Sequence, residues 1–178
     1  RRISEGVDST VPRTAGVARP SVAVIVAAHN EAAVLPATLA ALLEQTDAPE
    51  EVLIADDGST DGTAEMLCAR FGFVMPESGS GTPAVRVGAT ALRWLRLAHG
   101  GKAAALNAAL LQTAADLIIT VDADTVVGAP AIGAVRSAFS VEPELVAVTG
   151  VITPVCRPTP VGRVMQWFSN RPPGRSFD

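Results

Sequence analysis

Three short apolar runs, "SVAVIVAA" (21–28), "EVLIAD" (51–56) and "DLIITVD" (116–122), constrain the fold of this chain more than any other feature. Each is a continuous stretch of Val, Ile, Leu and Ala rather than an alternating one, which is the pattern of a strand covered on both faces. Each runs into a polar cluster: "AHNE" after the first, "DDGSTDG" after the second, "DADT" after the third. Between them lie segments with helical spacing. In "HNEAAVLPATLAALLEQT" the residues Val34, Leu35, Thr38, Leu39, Leu42 and Leu43 fall on one face. "TDGTAEMLCARF", the alanine-rich "AAALNAALLQTA" and "APAIGAVRSAFSV" read as three further helices.

Short strands alternating with helices predict an α/β fold, a mostly parallel sheet with helices on both faces. In such sheets ligands bind beyond the carboxyl ends of the strands, where the three polar clusters fall. Asn30 is expected to cap the first helix, with Pro36 in its early turns, and Thr60 or Asp61 to cap the second. "GFVMPESGSGTPAVRVGAT" reads as a loop, "ALRWLRLA" as a strand near an edge, and "ELVAVTGVIT" as a last strand. Residues 1–19 lack periodicity and read as a flexible arm, so the domain is expected to occupy 20–178.

Composition narrows the partners. The 178 residues are 48% hydrophobic and 18% charged, enough for one domain with a real core. A net charge of −4 offers no basic field, which argues against a nucleic-acid partner. Cys68 and Cys156 form no C-x-x-C pair, so a zinc ribbon or redox motif is not indicated. No apolar run approaches the roughly 20 residues needed to cross a bilayer, so a cytosol-facing chain is expected, with any membrane association through segments outside it.

The candidate chemistry lies in the clusters. Asp122 and Asp124 are one residue apart at a strand exit, where i and i+2 share a side. Like charges this close need a cation, and a divalent ion held together with phosphate oxygens is the simplest. A solvated turn with a capping aspartate explains the same residues. Asp56 and Asp57 end the second strand, where turn formation accounts well for Ser59, Thr60 and Asp61 but less well for two adjacent acids. A carboxylate there can accept from a nucleobase N–H or a ribose hydroxyl. "HGGKAAALN" sets two glycines and Lys102, the only lysine of the chain, at a helix start. Lysine there has the wrong sign for the helix dipole, which favours a ligand role, and the free N–H groups attract phosphate. The segment is not a Walker A loop, because Arg96 and Ala103 stand where that pattern needs Gly and Ser or Thr.

Taken in order, "VAVIVAAHNEAAVLPATLAALLEQ", "EVLIADDGSTDGTAEML", "HGGKAAALNAAL" and "ADLIITVDADTVV" resemble the family 2 glycosyltransferases, over about residues 20–155. The joint occurrence is far more specific than any one motif. "GGKAAALNAAL" looks most like the membrane-associated polysaccharide synthases of that family. The resemblance implies a Rossmann-like GT-A fold. It also implies a nucleotide-diphosphate sugar, UDP-linked, as donor and a carbohydrate or lipid-linked acceptor. Ala28, His29 and Glu31 would line the nucleotide pocket, with His29 where the family commonly has a tyrosine. One of Asp56 and Asp57 would contact uracil or ribose, and Lys102 would approach the diphosphate. Asp124 would bind Mn2+ or Mg2+ directly, with Asp122 facing the ribose or the metal.

The implied reaction is inverting transfer to an acceptor hydroxyl, which needs a general base. The family places that base in a later motif, for which "QWFSNRPPGRSFD" offers no match. The chain is therefore expected to be the donor-binding part of such an enzyme, incomplete at its C-terminal side and inactive alone. A non-catalytic nucleotide-binding module is the alternative. A nucleotidyltransferase is disfavoured because "AAHNE" replaces its glycine- and arginine-rich loop.

Overall fold

The computed structural model of the chain describes residues 19–142 and 144–151. The chain divides into two compact units, Arg1–Pro143 and Glu144–Asp178. The first carries strands β1 (Val22–Ala28), β2 (Glu51–Asp56), β3 (Ser80–Gly81), β4 (Val85–Val87), β5 (Thr90–Arg96) and β6 (Leu117–Asp122). Its helices are α1 (Leu35–Leu43), α2 (Thr63–Phe71), α3 (Lys102–Leu110) and α4 (Ala131–Val141). In the second unit, residues 144–151 form neither helix nor strand, so the strand expected over "ELVAVTGVIT" does not form there. The arm over residues 1–18, Cys156 and "QWFSNRPPGRSFD" lie outside the described residues.

Four parallel strands run side by side as β5-β2-β1-β6, and β3 and β4 add antiparallel to β5. The chain steps outward from β1 to β2 to β5 and then returns to pair β6 on the other side of β1. That reversal opens a crevice at the carboxyl ends of β1 and β6. Register sets the strand ends level: Ala28 pairs with Asp56, Asp56 with Arg96, and Ala27 with Asp122.

The pleat sorts the core into two faces. Val22, Val24, Val26, Val52, Ile54, Leu92 and Trp94 pack with Leu35, Leu39 and Leu42 of α1, Leu67 of α2 and Ile132 of α4. Ile25, Leu53, Ala55 and Leu95 face the other way, onto Ala105 and Ala109 of α3. Small alanines let α3 lie close to the sheet. "ALRWLRLA" is a strand, as expected, with a fully buried Trp94, and the loop before it holds the two short strands β3 and β4.

Two readings of the sequence are corrected. The apolar run of β6 implied burial on both faces, yet Ile118 is 38% exposed and every second residue of the strand faces solvent. Helix α3 covers β1 and β2 and stops short of β6. Among the described residues β6 ends the sheet on this side, pairing only with β1. Asn30 is not a helix cap: α1 starts five residues later, with Val34 at its N-cap and Pro36 in its first turn. Asn30 instead adopts a left-handed φ of 57°. Its Oδ1 accepts from Thr60 N (2.7 Å) and its N–H donates to Ser59 Oγ (2.9 Å), tying the β1 exit to the β2 exit.

Candidate nucleotide-binding cleft

Pleat parity gives the adjacent acids Asp56 and Asp57 opposite surroundings. Asp56 continues the Val52–Ile54 side and is fully buried there. Its carboxylate accepts from Trp94 Nε1 (3.3 Å) and Ser59 N (2.9 Å). It anchors the turn and is not among the residues that line the cleft, which leaves Asp57 as the member of the pair that does. Asp57 points to the α3 side. Its Oδ1 accepts from Gly100 N (2.7 Å) and its Oδ2 from Gly101 N (2.9 Å), and His99 Nδ1 stands 2.9 Å from Oδ2. The glycine N–H groups expected to meet a phosphate are therefore already bound to an anion of the chain itself. Asp57 pins the "HGGK" loop to the end of β2.

Gly58 makes this approach fit. Its φ is +69°, and a Cβ there would lie 2.8 Å from His99 N and 3.1 Å from His99 Cβ. Only a residue without a side chain permits both the turn and the contact.

Asp122 is in register with Ala27 and so faces the α3 side, where Lys102, the first residue of α3, ion-pairs with its Oδ1. The lone lysine thus stands beside the carboxylate pair as the cation that like charges require. Ala123 is buried between the two acids, and its carbonyl accepts from Thr38 Oγ1 of α1 (2.6 Å). Farther along, Gln45 holds the segment after Asp124, donating to Gly128 O (2.9 Å) and accepting from Ile132 N (3.2 Å). Asp124 is exposed, and among the described residues nothing engages its carboxylate. Two exposed carboxylates on a fixed turn offer only oxygen donors, which fits a hard divalent cation such as Mg2+ or Mn2+.

Asp61 lies beside the cleft. Its Oδ1 accepts from Thr63 N (3.1 Å) and Thr63 Oγ1 (2.5 Å), doing the capping work expected of it although Gly62 is the N-cap residue. Its Oδ2 accepts from Ala32 N (3.1 Å). Burial is the largest single influence and raises its pKa, but the bonds from Thr63 and Ala32 together outweigh it and hold the carboxyl below its usual value.

One open cleft of about 240 Å3 gathers the set: Ala27, Ala28, His29, Glu31, Asp57, Lys102, Asp122, Ala123 and Asp124. Every residue singled out from the sequence lines it except Asp56. Sequence reasoning missed His99, whose ring lies 4.4 Å from that of His29. Its one signal was its place ahead of "GGK". Nothing in the order of residues pairs it with His29, 70 positions earlier.

Comparison with known proteins bears on the fold that carries this cleft. Residues 23–76 match the model of the family described as Glycosyl transferase family 2. A poly-beta-1,6-N-acetyl-D-glucosamine synthase of Staphylococcus aureus is 30% identical over 127 residues, covering 71% of this chain and 27% of that protein. An undecaprenyl-phosphate 4-deoxy-4-formamido-L-arabinose transferase of Serratia proteamaculans is 33% identical over 106 residues, 58% of this chain and 28% of that protein. Among solved structures, the mannosyltransferase PcManGT of Pyrobaculum calidifontis, in complex with GDP-Man and Mn2+, superposes with a TM-score of 0.54. It is 29% identical, over 67% of this chain and 32% of that one. S. aureus TarS in complex with UDP shares the fold, with a TM-score of 0.55 at 18% identity, over 75% of this chain and 39% of that one. By class, the chain has the GT-A fold of the glycosyltransferases. More narrowly, it matches glycosyl transferase family 2 over residues 23–76, and it spans about a quarter to two fifths of the length of these relatives.

Proposed function

We propose that the chain is the donor-binding part of an inverting glycosyltransferase that takes a UDP-linked sugar and serves polysaccharide or glycan synthesis. The observation that carries this reading is the cleft at the reversal of strand order, lined by a cation, two exposed carboxylates and His29. The base and ribose lie along Ala28, His29 and Glu31, with Asp57 holding the loop beside them. The diphosphate lies toward Lys102, whose ammonium exchanges Asp122 for a phosphate oxygen when donor enters. Asp124 and Asp122 hold a Mn2+ or Mg2+ ion, whose chemistry when bound is to neutralise charge growing on the departing diphosphate.

In the reaction, the acceptor hydroxyl oxygen forms a bond to the anomeric carbon on the face opposite the diphosphate. The bond from that carbon to the diphosphate oxygen breaks, and the electron pair leaves with the nucleotide. The hydroxyl proton passes to a general base that the described residues do not supply. The acceptor is a glycan or lipid-linked hydroxyl. The site faces the cytoplasm, with membrane association through segments outside this chain. No helix among the described residues is long and apolar enough to cross a membrane.

Calorimetric titration of UDP in the presence and absence of Mn2+, on the wild type and on Asp124→Ala, tests the reading. Binding should require Mn2+ and weaken at least tenfold in the variant. Since the Asp124 side chain is exposed and unbonded, its melting temperature should stay within the scatter of a surface substitution, about 0.5 kcal/mol. Metal-independent binding, or binding untouched by the substitution, would sink the assignment.

A further inference from the structure

His29 and His99 converge on one backbone carbonyl. Nδ1 of His29 lies 2.7 Å and Nδ1 of His99 3.1 Å from the carbonyl oxygen of Asp57, and His99 Nδ1 is also 2.9 Å from Asp57 Oδ2. The rings are tilted by 31°, neither stacked flat nor edge-on. One donor atom from each of His29, Asp57 and His99 falls within 4.8 Å of the other two, the one such trio among the described residues. The Asp57 side chain is buried and fixed by the Gly100 and Gly101 N–H groups. One of the three parts is thus oriented before any ion arrives, as supporting hydrogen bonds do in metal sites.

We propose that His29, His99 and Asp57 form a binding site for a late first-row divalent cation, Zn2+ foremost, separate from the oxygen-only pair Asp122 and Asp124. The donors are two imidazole nitrogens and a carboxylate oxygen, with the Asp57 carbonyl within reach of both rings. Imidazole suits Zn2+, Ni2+ and Cu2+, whereas carboxylate and water suit Mg2+ and Mn2+. Four ligands at 2.0–2.2 Å from a tetrahedral zinc are about 3.3 Å apart. The three shortest contacts, 2.7–3.1 Å, need open by only tenths of an ångström, and the donor atoms of the trio lie within 4.8 Å of one another, a gap that two exposed rings can close by rotation. Coordination through Nδ1 moves each ring proton to Nε2. For His29 this ends the contact with Asn30 Nδ2 (3.1 Å), which water at this exposed edge replaces. An ion here cross-links the β1 exit, the β2 exit and the loop before α3.

The test uses the untagged full chain under reducing conditions, with Zn2+ set against a chromophoric chelator and Co2+ followed by its visible absorption. Because the chain has two histidines in all, the single variants His29→Gln and His99→Gln sort the result cleanly. The wild type and Asp124→Ala should each bind one equivalent of Zn2+, with a Co2+ spectrum of four-coordinate intensity and no displacement by millimolar Mg2+. Each histidine variant should lose at least tenfold in Zn2+ affinity, and that spectrum with it. The His99 side chain is 63% exposed, so His99→Gln should melt as the wild type does, and thermal melts of each variant check that folding is kept. Zn2+ affinity unchanged in both histidine variants, as binding at Cys68 would give, overturns the proposal, and so does loss of Zn2+ in Asp124→Ala. The site does not rest on the donor-binding reading: failure of UDP to bind leaves these outcomes as stated.

Discussion

Gly58→Ala is the sharpest probe of how the cleft is assembled. Two costs arise, and a second glycine separates them. Placing alanine at φ +69° costs about 1–2 kcal/mol in backbone strain. The new methyl also lies 2.8 Å from His99 N, where ordinary contact begins near 3.4 Å, so the His99–Gly101 loop must retreat by about 0.6 Å. Retreat stretches the 2.7 and 2.9 Å bonds from Gly100 and Gly101 to Asp57, and overpacking of this kind costs about 1–3 kcal/mol. Gly88 has a similar φ of +59° with nothing within 4 Å of its added Cβ, so Gly88→Ala bears only the backbone cost. Urea unfolding followed by fluorescence of the buried Trp94 should therefore show both variants destabilised, Gly58→Ala by about 1–3 kcal/mol more. At a slope of about 2 kcal/mol/M the extra shift in midpoint is about 0.5–1.5 M. Equal midpoints for the two variants would refute the close approach of the β2 and β5 exits.

Two further outcomes follow from the same network. Asp57→Asn keeps the shape but sets an amide group against donors, which should cost about 2–3 kcal/mol, and hydrogen exchange at Gly100 and Gly101 should rise while that at β1 does not. Glu50 is raised by burial, but the Val22 N–H and Arg136 hold it below its ordinary 4.5, and Asp61 likewise lies below 3.8. Groups depressed by folding stabilise fully above their unfolded pKa and lose that contribution as pH falls through the folded one. Melting temperature should be level from neutrality to about pH 5 and then fall, and the fall should be shallower in Glu50→Gln. A parallel curve for that variant would remove Glu50 from the account.

Much of the fold was legible because its signals are local. Unbroken apolar runs in β1 and β2, helical spacing in α1 and the polar clusters after each strand are read within ten residues. They predicted both the parallel sheet and the end at which the site lies. The same rule failed for β6, whose apolar sequence is that of a covered strand although its α3-side face is open. Local pattern reports what a segment can bury, and only the positions of other elements decide whether anything arrives to cover it.

The sequence by itself determined the α/β class, the carboxylate pair at Asp122 and Asp124, and the lone Lys102 at a helix start. Tertiary structure alone decided that Asp56 turns inward to Trp94 while Asp57 reaches the cleft, that Lys102 meets Asp122, and that His99 stands beside His29. The physical reason is the pleat together with the strand order. Parity puts neighbouring residues on opposite faces, but which face receives α3, and which strand exits become neighbours, depends on pairings between segments 28 to 95 residues apart.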